Sequence, residues 1–174
     1  MPTIRVSQPL DLPAITAIYR HHVLHGTGTF EIEPPTLTDM SARRNDVLSK
    51  GLPWLVAEGA DGAVLGYAYA NWFKPRPAFR FSAEDSVYVA DHARGQGVGK
   101  LLLAALAAEC EAAGVRKLIA VIGDSANHGS IAIHRTAGFS DAGVLRSVGW
   151  KFERWLDVVM MEKSLGAGDS TAPQ

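Results

Sequence analysis

The segment Arg94-Gly95-Gln96-Gly97-Val98-Gly99-Lys100 constrains this chain most, because it joins a strand-like run, Ser86-Val87-Tyr88-Val89, to a long apolar helical pattern from Leu101. A glycine-rich turn that opens a helix leaves several backbone N–H groups unpaired, and the helix dipole adds partial positive charge at the same point. That combination is an anion site, most simply for a phosphate or pyrophosphate. Glycine removes the Cβ that would hold the anion off the backbone. Spacing excludes two common phosphate loops. A Walker A loop would need glycine where Arg94 stands and Ser or Thr where Leu101 stands. A dinucleotide fingerprint starting at Gly95 would need a third glycine where Lys100 stands. The pattern left is Arg-x-x-Gly-x-Gly.

At 174 residues the chain suits one domain with a sizeable core. Its 47% hydrophobic and 20% charged residues describe a globular chain, and a net charge of −1 gives no electrostatic case for nucleic acid or an anionic membrane. The start, Met1-Pro2-Thr3-Ile4-Arg5-Val6, has no apolar h-region, so no signal peptide is expected. Leu101 to Ala108 is the longest apolar run and is too short to span a bilayer. The single cysteine, Cys110, shares a helix face with Leu102 and Leu106 and reads as a buried small hydrophobe. It cannot form an internal disulfide, which suits a reducing cytoplasm.

Periodicity gives the element order. Thr3 to Val6 alternates as a strand, and Asp11 is expected to cap a helix that buries Leu12, Ile15, Ile18 and Tyr19. His21, His22 and His25 follow near its end and read as a solvated helix terminus. Thr38 to Lys50 forms a second helix stopped by Gly51. Trp54–Glu58 and Val64–Phe73 form a hairpin across Asp61-Gly62. A basic, proline-rich loop leads to the strand ending at Val89. Beyond the glycine loop come a helix closed by Gly114, a strand over Lys117–Ile122, a short helix over Ser130–Thr136, and strands over Ala142–Trp150 and Trp155–Glu162. The order β-α-α-β-β-β-α-β-α-β-β predicts one α/β domain over 1–165, a mixed sheet with helices on both faces, and a disordered tail over 166–174.

This order and the Arg-x-x-Gly-x-Gly loop resemble the Gcn5-related N-acetyltransferase (GNAT) fold. From Ile4 to Leu165 the chain is similar to that family's phosphinothricin and methionine sulfoximine N-acetyltransferase branch. The resemblance is carried by Phe73-Lys74-x-Arg76-x-Ala78-Phe79, Glu84-x-Ser86-Val87-Tyr88-Val89, the glycine loop, Ala120-Val121-Ile122-Gly123 with Asn127, Ser130-Ile131-x-x-His134 with Gly138-Phe139, and Trp155-x-Asp157-Val158. It implies acetyl-CoA as donor, no metal, and a homodimer. The amides of Gly95, Gln96, Gly97, Val98, Gly99 and Lys100, beside Arg94, would cradle the pyrophosphate. Val87, Tyr88 and Val89 would offer main-chain groups to the pantetheine arm, with one N–H as the oxyanion donor to the thioester. Asn127 would bond the pantetheine, although a helix N-cap explains it equally well from sequence.

The acceptor must attack as a free amine. An α-amino group titrates at roughly 7.7–8.0 in model peptides, so near neutral pH most of it is ammonium. The resemblance makes Glu84 the base that takes this proton; Asp85, its neighbour on the opposite strand face, is the rival. His134 stands where the wider family commonly has a proton-donating tyrosine, and its role as acid, base or packing residue stays open. Lys74, Pro75 and Arg76 lie on the loop leading to Glu84, Asp85 and Ser86. An arginine fork and a lysine there suit a small amino acid with an anionic group, such as phosphinothricin, methionine sulfoximine or methionine sulfone. Two rival functions are a peptide N-terminal acetyltransferase, which needs an open groove, and a CoA-binding module without turnover.

Overall fold

Strand and helix periods alternate along the chain, and each produces its element in the computed structural model, which describes residues 2–173. In chain order these are β1 (Thr3–Val6), α1 (Leu12–His25), α2 (Leu37–Ser49), β2 (Trp54–Glu58), β3 (Val64–Trp72), β4 (Ser82–Val89), α3 (Val98–Ala112), β5 (Lys117–Gly123), α4 (His128–Thr136), β6 (Ser140–Lys151) and β7 (Arg154–Ser164). The strands form one seven-stranded mixed sheet in the order β1-β2-β3-β4-β5-β7-β6. Among the described residues only β4 and β5 run parallel, as the intervening helix α3 requires.

Side-chain parity assigns the two faces. Tyr88 of β4 meets the Tyr19 ring of α1 edge-on at 4.9 Å, so the even-numbered residues of β4 face α1. A Cβ at Gly66, which pairs with Val89, would lie 3.2 Å from Leu102 of α3, so the odd-numbered residues face α3. Leu102, Leu106 and Cys110 recur every fourth residue on α3, and all are fully buried. Burying each leucine contributes roughly 1.5–3 kcal/mol. Trp54 stacks on Tyr69 at 4.2 Å to give the other face its aromatic core.

Asp11 does not cap α1 with its side chain. Its carboxylate accepts from both terminal nitrogens of Arg5 at 2.8 Å and from the amide of Gln8 at 2.6 Å, so both oxygens are taken by the Arg5 ion pair and the preceding turn. Residues 166–173 turn back toward Arg116, whose guanidinium donates to Thr171 at 3.3 Å. The expected domain and tail bounds reach residues 1 and 174, which lie outside the described range.

Candidate active site

Pairing between β4 and β5 begins at Ser82–Lys117 and ends at Asp85–Ala120, although both strands continue. Beyond that point the two strands splay. The antiparallel ladder with β3 shows which groups the splay frees. Ala90 donates to the Leu65 carbonyl and Phe73 donates to that of Ser82, so the even-numbered residues of β4 spend their main-chain groups on β3. Val87 and Val89 therefore turn their N–H and C=O groups toward the gap. His22 donates from Nε2 to the Val89 carbonyl at 2.9 Å, and burial, the largest influence, lowers its pKa and favours the neutral ring. His22 is thus part of the cleft, not a solvated helix end.

The splay opens into a cleft of about 800 Å³ whose lining includes Glu84 to Val89, Ala120 to Ile122, Asn127 and His134. Arg94, Gly95, Gly97, Val98, Gly99 and Lys100 line its far end, where α3 begins. Gly95 and Gly97 adopt φ of +74° and +80°, and no atom lies within 4 Å of a Cβ built on either. Only residues without a Cβ take this backbone freely, and the open space leaves the amides accessible to an anion. Gln96 is exposed and instead donates its side-chain amide to the His92 carbonyl at 2.9 Å. Arg94 pairs with Asp91 at 3.3 Å. An anion cradle joined to an unpaired strand edge fits the pyrophosphate and amide-rich arm of acetyl-CoA, and Lys100 adds charge beside the cradle.

Glu84 sits at the foot of the splay, half-buried, on the α1 face. Burial raises its pKa most, the neighbouring charge of Asp85 adds to this, and the Lys74 ammonium acts in the opposite direction. Glu84 is a carboxylate held in the cleft with weakened stability as an anion, which suits a proton acceptor. Ser86 lies on the same face and pairs with Tyr69 of β3.

Asp85 and His134 hydrogen-bond each other across the foot of the cleft. His134 is 4% exposed and Asp85 6%. Nε2 of the histidine lies 2.9 Å from the carboxylate of Asp85, and Nδ1 lies 2.7 Å from the Ser130 carbonyl. Both acceptors lack protons when Asp85 is ionised, so both ring nitrogens donate and neither is left for a reacting group. Both residues line the cleft as expected of site residues, and in this arrangement one Asp85 oxygen and both His134 ring nitrogens are engaged with each other and with Ser130. The other oxygen, Oδ1, is buried with no hydrogen-bond partner among the described residues.

Asn127 caps α4: its side-chain oxygen accepts from the Ser130 amide at 3.2 Å and its nitrogen donates to the Gly123 carbonyl at 2.9 Å. It also lines the cleft, so the cap holds it where a second donor hydrogen remains. Lys74, Pro75 and Arg76 are exposed and stand at the rim outside the cleft lining. Phe73 and Phe79 of the same loop meet edge-to-face at 5.9 Å. Sequence reasoning missed the segment Gly26-Thr27-Gly28-Thr29, which lines the cleft beside Phe30. Two glycines between a helix and an aromatic residue were the available signal. Among the described residues no acidic, histidine or cysteine cluster could hold a metal, and no helix is long and apolar enough to cross a membrane.

Comparison with known proteins places this geometry. The model of the acetyltransferase (GNAT) family matches residues 15–139. The chain is 56% identical over 172 residues to a phosphinothricin N-acetyltransferase of Alcaligenes faecalis, covering 99% of this chain and 87% of that protein. It is 42% identical over 164 residues to an L-methionine sulfoximine/L-methionine sulfone acetyltransferase of Pseudomonas aeruginosa, covering 94% of each. Among solved structures, a GNAT superfamily phosphinothricin acetyltransferase from Sinorhizobium meliloti in complex with AcCoA superposes with a TM-score of 0.97 at 44% identity, covering 99% of this chain and 93% of that one.

Proposed function

The chain belongs to the GNAT acetyltransferase family and is an acetyl-CoA-dependent N-acetyltransferase; within that activity we propose that its acceptor is the α-amine of a small anionic amino acid of the phosphinothricin, methionine sulfoximine or methionine sulfone type. The observation that carries the reading is the end of β4–β5 pairing at Asp85, one residue after Glu84. It puts an unpaired strand edge and a cleft-facing carboxylate side by side. Acetyl-CoA supplies an acyl group activated as a thioester. Glu84 accepts the ammonium proton, directly or through one water, and the freed amine attacks the thioester carbon: the C–N bond forms, the C–S bond breaks, and CoA leaves as a thiolate that takes up a proton from solvent. The N–H groups of Val87 and Val89 face the gap and are placed to stabilise an oxygen on which negative charge grows. The amides from Gly95 to Gly99, opening α3, hold the pyrophosphate, with Lys100 beside them.

The names of the relatives support the acceptor class, and so does the rim. Lys74 lies near enough to Glu84 to bias its ionisation, so an anionic group bound at Lys74 and Arg76 would sit a short reach from the base. A cytoplasmic setting agrees with dependence on acetyl-CoA and with the buried thiol of Cys110. The homodimer belongs to the same reading. Leu145, Val148, Trp150 and Trp155 are all more than half exposed on β6 and β7 at one edge of the sheet, an apolar patch of the kind that marks an interface.

The deciding experiment follows CoA thiol release with L-phosphinothricin, L-methionine sulfoximine, L-methionine sulfone, a neutral amine and a peptide. Turnover confined to the anionic analogues is expected. Preference for the peptide would favour the N-terminal acetyltransferase, and CoA binding without any turnover would favour a module.

A further inference from the structure

Between α1 and α2 the chain passes through Gly26-Thr27-Gly28-Thr29-Phe30, which lines the cleft without regular secondary structure. Its position is therefore set by what it rests on. Thr29 bonds the Tyr19 hydroxyl at 2.8 Å, and the Tyr19 ring abuts Tyr88, which puts the segment on the Glu84 face of the sheet. That is the face from which an amine must approach the base.

The segment is fastened from the far end of the sheet. Lys151, the last residue of β6, is 4% exposed, and its ammonium donates to the carbonyls of Gly26 at 2.9 Å and Thr29 at 2.8 Å. A buried ammonium is tolerated only where its donors are satisfied; here both hydrogen-bond acceptors belong to one loop, and the centroid of the Phe152 ring lies 4.9 Å away. Phe30 is seated between two glycines. A Cβ at Gly149 would overlap its ring, and a Cβ at Gly123 would lie 2.7 Å from its Cε2. None of Lys151, Gly149 or Gly123 has a part in the proton or acyl chemistry described above.

We infer that Lys151, with Gly149 and Gly123, forms a latch that fixes the Gly26–Phe30 segment as a wall of the acceptor pocket, which makes Lys151 a positioning residue for the amino-acid substrate. The inference rests on the acceptor reading given above. The latch holds the wall on the Glu84 face; Gly123 alone of its three residues also bonds a CoA-side group, accepting from Asn127 at 2.9 Å, whereas Lys151 and Gly149 act on the segment and its Phe30. Its loss therefore weakens acceptor binding without weakening the hold on CoA.

The test compares the full-length protein with Lys151→Met and Gly149→Ala. Steady-state rates are measured with L-methionine sulfoximine varied and then with acetyl-CoA varied, CoA affinity by calorimetry, and amide exchange across residues 26–36. Both variants should raise KM for the acceptor by roughly tenfold, equivalent to about 1.4 kcal/mol. CoA affinity should stay within about twofold, and exchange should quicken over 26–31. Gly149→Ala keeps the lysine and displaces Phe30 alone, so it decides the matter if Lys151→Met fails to fold. Unchanged exchange with unchanged acceptor KM, or equal losses toward acceptor and CoA, would overturn the latch. If the wild type acetylates none of the analogues, the acceptor reading fails, while the exchange measurement still decides whether Lys151 holds the loop.

Discussion

Nε2 of His134 lies 2.9 Å from Asp85, and Nδ1 lies 2.7 Å from the Ser130 carbonyl, so the ring is held at both ends between α4 and β4. Burial disfavours the charged imidazole, but the hydrogen bond and charge of Asp85 and the Ser130 carbonyl outweigh it and hold the pKa above its usual value. A base with a raised folded-state pKa adds stability that is complete below the unfolded value of about 6.5 and is lost as pH rises through the folded value. Asp85→Asn should therefore be most destabilising in acid, by roughly 3–5 kcal/mol as for a broken buried pair, and less so in alkali. Denaturant melts at several pH values check this; a pH-independent loss would mean the ring is neutral throughout.

Glu84→Gln should lower kcat by about 10²–10⁴-fold while CoA affinity holds. The acid limb of kcat/KM should also shift in a set direction with Glu84's neighbours. Burial and the charge of Asp85 raise its pKa, and Lys74 lowers it. Asp85→Asn should thus move the enzyme's limb to lower pH, and Lys74→Ala to higher pH with a raised acceptor KM. The amine's own ionisation is common to all variants, so opposite shifts cannot come from the substrate. Identical profiles would remove Glu84 as the base.

Gly97 takes φ of +80° at the start of α3, and Gly114 takes +85° at its end. Alanine at either site forces a Cβ into left-handed backbone, at a cost of roughly 1–2 kcal/mol. Both variants should melt earlier, but only Gly97→Ala should raise KM for acetyl-CoA. A similar KM change in Gly114→Ala would show that the effect is one of general stability.

The β6–β7 turn places Phe152 and Glu153 at φ of +53° and +56°. A two-residue hairpin turn needs such angles at both positions, and glycine meets them without strain. Glu153→Gly should stabilise the protein by about 0.5–1 kcal/mol, read as a higher denaturant midpoint at constant slope. A lower midpoint would mean that this side chain makes contacts stronger than the backbone strain.

Trp155 is 62% exposed on the apolar edge. Trp155→Asp should convert the protein from dimer to monomer in light-scattering measurements while leaving a folded chain. A wild-type protein that is already monomeric would dismiss the interface.

The sequence by itself determined the glycine-rich turn before α3, the order of strands and helices, the buried face carrying Leu102, Leu106 and Cys110, and the family resemblance. These are local properties, since glycine spacing and apolar period act over a few residues. Lys151 shows the limit: it binds the Thr29 carbonyl across 122 positions of sequence. Nothing in its own neighbourhood separates it from a solvated lysine at a hairpin turn. Likewise, only the assembled sheet ended β4–β5 pairing at Asp85, set His134 on a carboxylate, and drew His22 onto the Val89 carbonyl. A strand's register and a side chain's partner are decided by which distant surfaces pack together, and no periodic pattern records that.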